Sequence, residues 1–219
     1  MIYYDVLATD FRPPLPMVPR RVESSDSPPG AQAVLTVDEV KVHCRIEHND
    51  EDEYVQSLID TAVSHVSGFH GILGRCLVTE TWEVAFGCFP LDGKLRLPFP
   101  DVITIEEVSY KDSAGDENTV DPTTYVLIED VVSPYLSVGT GSWPSGAATR
   151  PDAVTVRFTA GFGTADQVPA PIKHGLKLMI EDLYEHRETV AIGVTATTIP
   201  ISASVQRLFA NYKHSWAVA

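Results

Sequence analysis

The chain has 219 residues, 44% of them hydrophobic and 21% charged, with a mean hydropathy near zero. That is the composition of an ordinary globular protein, long enough for one core or for a core with a smaller attached subdomain. Thirty acidic against sixteen basic residues give a formal charge of -14, which excludes a monomeric clamp that grips nucleic acid through basic charge.

The amino terminus carries Asp5 and Asp10 before its first positive charge, Arg12. It lacks the basic-then-apolar order of a secretory signal, so the expectation is no export. The uncharged windows Val131 to Thr149 and Ala191 to Val205 are interrupted by Pro and filled with Ser, Thr and Gly; they read as loops with short strands, not as membrane spans. Cys44, Cys76 and Cys88 are odd in number and widely spaced, which fits a reducing compartment and cytoplasmic synthesis better than a disulfide framework.

In chain order, residues 1–34 hold six prolines and the polar run Glu23 to Asp26; without apolar periodicity the stretch reads as an extended arm, ordered only against something else. Thr36-Val-Asp-Glu39 is a capping box, and it predicts a short helix to about Arg45. Asn49 and the acidic run Asp50 to Glu53 suit a second helix start, and Tyr54, Val55, Leu58, Ile59, Ala62, Val63, Val66 and Phe69 recur at helical spacing up to Gly71.

After Gly74 the period becomes two. Val78, Trp82, Val84, Phe86 and Cys88 form one strand pattern, Leu95 and Leu97 another, and Ile103, Ile105, Val108 and Tyr110 a third whose phase slips at Glu106-Glu107. Lys111 to Glu117 reads as a hairpin loop, and Tyr125 to Ile128 and Ala153 to Thr159 complete four to six strands. A small antiparallel sheet is the simplest container. Helical spacing returns after Pro169 and Pro171 with Ile172, Leu176, Met179, Ile180, Leu183 and Tyr184, up to Glu188. A Thr-rich loop, Thr189 to Pro200, precedes a short helix in which Val205, Leu208, Phe209 and Tyr212 share a face, with Ser202 and Ser204 as possible caps.

Chemical motifs are sparse. The sequence has no Cys-x-x-Cys, His-Glu-x-x-His or calcium-loop pattern. The Asp50 to Glu53 run could hold a divalent ion weakly, although helix-start electrostatics accounts for it. Gly161-Phe-Gly163 follows a strand, but the next helix begins too far on for a dinucleotide site. Tyr184 to Glu188 reads as a salt-bridged helix end, with Glu185 and Glu188 near Arg187. No cofactor, metal or catalytic residue is assigned. The arm, the Thr-rich loop and the last helix would be better satisfied on a neighbouring molecule than in a lone protomer.

Several stretches, in order, carry a resemblance: Leu35 to Ile46, Asp50 to Gly74, Leu77 to Trp82, Arg96 to Pro100, Val108 to Gly115, Asp121 to Tyr125, Val156 to Gly163 and Val168 to Glu188. They cover most of 35–212, and with them the sequence resembles the head-to-tail connector, or adaptor, proteins of long-tailed bacteriophages and gene transfer agents. The Pro-rich arm is not part of that family's usual pattern. The resemblance implies an α+β fold, a helical bundle with an inserted small antiparallel β subdomain. The organisation expected is an arm at 1–34, bundle helices at 35–74, the β subdomain at 75–163, the long helix at 164–188, and a loop, short helix and tail at 189–219.

The implied role is structural and non-enzymatic: a homo-oligomeric ring, dodecameric by the family pattern, at the virion neck. Its partners there are the portal protein and a stopper or tail-completion protein, with DNA passing without specific binding and no membrane involved. The carboxylates Asp50, Glu51, Asp52, Glu53, Asp112, Asp116 and Glu117 are candidates for an acidic lumen that repels the DNA backbone. Val205, Leu208, Phe209, Tyr212 and Trp216 are candidate portal or partner anchors. Other readings are a different neck or tail-completion protein, a metal-dependent hydrolase using Asp50 to Glu53 or Glu185 to Glu188, and a small-molecule-binding module.

Overall fold

A computed structural model describes residues 18–22, 33–139, 141–187 and 202–214. Among these the chain divides into two compact units, a helical one from 33–80, 160–187 and 202–214, and a β unit from 18–22 and 81–159.

In the helical unit α1 spans Val37–Cys44, and the capping box starts it. The Glu39 amide donates to Thr36 Oγ1 at 3.2 Å and the Thr36 amide donates to Glu39 Oε2 at 2.9 Å, which satisfies two amides that have no intrahelical partner. Arg45 ends it in the left-handed conformation, φ 58°. Helix α2 spans Asp52–Val66 and buries Val55, Leu58, Ile59, Ala62 and Val66 along one stripe. It stops short of the expected Gly71. The chain then folds back on itself, and a Cβ on Gly71 would stand 2.3 Å from the Ser67 carbonyl oxygen.

Helix α3, Ala170–Glu185, carries Pro171 in its first turn and buries Ile172, Gly175, Leu176, Met179 and Ile180. Helix α4, Ala203–Phe209, is capped by Ser202, whose Oγ accepts from the Val205 amide at 3.3 Å. The four helices close on one core, to which each fully buried Val, Leu or Ile contributes roughly 1.5–3 kcal/mol. Residues 75–79 and 161–163, expected with the sheet, join this unit. Leu77 is buried in its core, and the Thr79 amide donates to the Gly163 carbonyl at 2.8 Å. Gly161 and Gly163 serve this close approach: both have positive φ, and a Cβ on Gly161 would lie 2.2 Å from the Val78 carbonyl oxygen.

The β unit holds two sheets where one was expected. The first has five strands in the order β1 (Arg20–Arg21), β2 (Glu80–Phe86), β8 (Val154–Ala160), β4 (Val102–Lys111) and β5 (Glu117–Thr119). The second has three: β3 (Lys94–Arg96), β7 (Tyr135–Val138) and β6 (Tyr125–Ile128). β2 and β8 alternate as the sequence pattern requires, with Val84, Phe86, Val154, Val156 and Phe158 buried. β4 does not: Ile103 is exposed while the consecutive Val108 and Ser109 are both buried, so its facing changes along the strand. Phe99 packs against Trp82 and Phe158, with ring centroids 4.7 and 6.2 Å apart. The described end of the proline arm is the two-residue β1, antiparallel to β2, where Arg20 pairs with Glu83 at 2.7 Å. Val34, at the end of the expected arm, is instead buried in the helical core; residues 1–17 and 23–32 of the arm lie outside the described residues, as does the Thr-rich loop. No helix among the described residues is long and apolar enough to cross a membrane.

Candidate functional site

The acidic run at the start of α2 is partly consumed inside the protomer. Glu51 forms a two-point ion pair with Arg187, Nη1 to Oε1 at 2.8 Å and Nη2 to Oε2 at 2.9 Å, and accepts from the Tyr184 hydroxyl at 2.5 Å. Hydrogen bonds from Arg187 and Tyr184 hold the Glu51 carboxyl down at about 2. The Arg187 guanidinium also lies over the Tyr54 and Tyr184 rings, 4.7 Å from each centroid. Asp52 turns the other way, to Lys41, whose Nζ donates to it at 2.7 Å and to Asn49 Oδ1 at 2.5 Å. Asp50 and Glu53 remain exposed. With Glu51 and Asp52 drawn to different cations, the run does not converge on a metal, and the described residues contain no group of three or more His, Cys, Asp or Glu able to hold one.

The helix-end cluster also differs from its sequence reading. Arg187 pairs with Glu51 across the unit, and His186 Nδ1 sits 3.3 Å from Asp182; Glu188 lies outside the described residues. Neither the Arg187 pairing nor the burial of Lys41 carried a local signal.

In the β4–β5 hairpin, Asp112 organises the loop. Its Oδ1 accepts from the Ala114 and Asp116 amides at 2.9 and 3.0 Å, and these bonds lower its pKa. Asp116 and Glu117 are exposed, Glu117 accepting from Ser109 Oγ at 3.1 Å.

On α4, Val205 and Phe209 are buried in the helical core with Leu208 half-buried against it, as is Tyr212 in the 3-10 turn that follows. Phe209 fits where α3 has Gly175: a Cβ there would come 2.5 Å from the ring. The chain then returns to the loop after α2, where the His214 amide donates to the Leu73 carbonyl at 2.8 Å. Trp216 lies outside the described residues.

A surface unnoticed in the sequence is the outward face of the three-stranded sheet. Register places Val126, Ser137 and Lys94 in one cross-strand row and Ile128, Tyr135 and Arg96 in the next. Tyr125, Leu136 and Leu95 point to the buried side. Lys94 Nζ and Arg96 Cζ lie 4.9 and 5.3 Å from the Tyr135 ring centroid. The sequence Tyr-Val-Leu-Ile is apolar at every position of β6, the pattern of a strand covered on both sides, yet one of its faces is open.

Residues 34–112 match the family described as phage gp6-like head-tail connector protein. No curated protein sequence matches the chain. In fold it is similar to a chain from the neck of an empty GTA particle computed with C6 symmetry, at 21% identity and a TM-score of 0.69. A chain from the virion of a native gene transfer agent particle gives 21% and 0.68, and one from the neck of a native GTA particle computed with C12 symmetry gives 20% and 0.62. Each alignment covers 91% of this chain and 96% of the other. The resemblance read from the sequence is thus borne out, by sequence over 34–112 and by fold over most of the chain.

Proposed function

We propose that this chain, similar to the gp6-like head-tail connectors over residues 34–112, is a structural, non-enzymatic component of the neck of a tailed phage or gene transfer agent particle. Copies form a ring, of twelve by the family pattern, between the portal and a stopper or tail-completion protein, and DNA passes through it. The observation that carries this reading is the coincidence of the two likenesses. The family match falls on α1, α2 and the strands up to β4, and the neck-type fold continues through the rest of the chain at 91% coverage. The four helices sharing one core are, in this reading, the family's bundle.

The electrostatics suit a conduit. A net charge of -14 per copy, repeated around a ring, opposes the phosphate backbone within about 8–10 Å, the screening length at physiological salt. Asp50, Glu53, Asp116 and Glu117 are exposed and supply lumen charge most directly, while Glu51, Asp52 and Asp112 are also tied to their own protomer. For the portal contact, Leu208 and Tyr212 offer half-buried apolar surface and Trp216 lies close by in sequence, with Val205 and Phe209 holding α4 in place.

Mass spectrometry of purified particles, with labelled-antibody imaging of the neck, tests the reading. The chain is expected in finished particles at about twelve copies, at the head–tail junction. Its absence from finished particles would refute the reading, and a location on the tail away from the portal would favour a tail-completion role.

A further inference from the structure

We propose that the outward face of the three-stranded sheet docks on an acidic surface of a second copy of this chain, an inference that rests on the ring reading above. Four aliphatic side chains gather on β6 and the turn that follows it. Val126 and Ile128 are 49% and 36% exposed, and Val131 and Val132, at the tip of the β6–β7 hairpin, are 101% and 45% exposed. β6 is an edge strand, bonded only to β7 within its sheet, so one rim of its backbone is open beside these side chains, an arrangement that invites pairing with another chain. Nothing in the protomer's own stability requires a fully exposed valine.

Charge selects the occupant. Across the same face the rows run from Val126 and Ile128 through Ser137 and Tyr135 to Lys94 and Arg96. The face is therefore apolar at one edge and cationic at the other, on a chain with 30 acidic and 16 basic residues. Arg96 is paired with Asp130 at 3.1 Å, while the Lys94 ammonium lies over the Tyr135 ring on an exposed part of the face. The surface complementary to such a face is apolar with carboxylates on one side. Every other copy presents exposed carboxylates beyond the lumen candidates, Glu47, Asp60, Asp166 and Glu185 among them. The two faces of the contact differ, so the association is heterologous, the kind that closes into a ring when the rotation between copies is right.

The test uses the full chain in particles, as wild type, V131D, V126D and V126T. Ring incorporation is measured as copies per particle, folding by the melting temperature of each purified variant, and contacts by carbodiimide coupling in particles built from mixed 14N and 15N chains. V131D and V126D are expected to keep the wild-type melting temperature and lose at least tenfold in incorporation, with V126T near wild type. Lys94 is expected in mixed-isotope links to carboxylates of the same protein. If V126D folds poorly, V131D decides, because its side chain leaves no packed environment. Wild-type incorporation of V131D, or Lys94 coupled only to a different protein, overturns the docking assignment and leaves the ring standing. A wild-type chain missing from particles overturns the ring reading and this inference with it.

Discussion

Glu51 and Arg187 stand 136 positions apart in sequence and meet in a two-point ion pair, with the guanidinium laid over the rings of Tyr54 and Tyr184. Glu51 precedes the first turn of α2 and Arg187 follows the last turn of α3, so the pair joins two helix ends that no backbone bond connects. Folding lowers the Glu51 pKa from 4.5 to about 2. The deprotonated form is therefore the one that folding favours, and its contribution to stability is complete above about pH 4.5 and lost as pH falls toward 2.

Glu51→Gln is accordingly expected to lower the melting temperature at pH 7, with the difference from wild type shrinking as pH drops and vanishing near 2. Asp152 is held down to about 2 by Lys111 and Arg150 and titrates in both proteins, so the difference between them isolates Glu51. A constant difference from pH 7 to 2 would show that the pair contributes nothing.

Lys41 is 8% exposed and its ammonium is held by Asn49 and Asp52. Lys41→Met keeps the aliphatic stem but leaves both acceptors without their cation. Because Asp52 retains access to water, its side chain being 45% exposed, the expected loss is about 1–3 kcal/mol, that of charged hydrogen bonds and not of a fully buried pair. Urea unfolding monitored by circular dichroism measures it.

Gly175 admits the Phe209 ring, and a branched side chain there has no room. Gly175→Val should cost about 1–3 kcal/mol or more by overpacking between α3 and α4, and Phe209→Ala about 3–5 kcal/mol by leaving a cavity. Pairing the large-to-small and small-to-large changes in one chain should recover part of the loss, since the sites touch. Additive losses in the double variant would mean that the contact is not what sets α4.

Arg207, exposed on the same helix, gives the contrasting case. Arg207→Ala should alter protomer stability by no more than about 0.5 kcal/mol. If that variant nevertheless loses neck incorporation, the outer side of α4 is a contact surface; Phe209 variants cannot report this, because they weaken the protomer first.

How much was readable in the sequence follows from the range of each interaction. The Thr36–Glu39 box, the apolar stripes of α2 and α3, the Ser202 cap and the β8 alternation involve residues within a few positions, and each formed where its spacing placed it. Asn49 shows the limit. Its type and position suited a helix cap, but α2 starts later without a side-chain cap and the Asn49 amide oxygen accepts from Lys41. The division of the strands into two sheets, the turning of β4 and the destination of Arg187 depend on partners tens of residues away, which periodicity does not encode. The open face of β6 was hidden for the opposite reason: an all-apolar tetrapeptide reads as buried on both sides.

The core of the helical unit is drawn from both ends of the chain, with Val34 to Leu77 on one side and Val168 to Phe209 on the other. During synthesis the first two helices therefore emerge with their apolar stripes uncovered and wait for α3. At 5–20 residues per second the intervening stretch takes roughly 4–18 s to translate. The β unit has its strands β2 to β8 made within that interval, β1 having been made before α1. The sheets can thus be complete on the ribosome while the helices still need a chaperone or their own transient pairing, and a slowed codon run between 80 and 168 would lengthen the period in which this protein is most prone to aggregate.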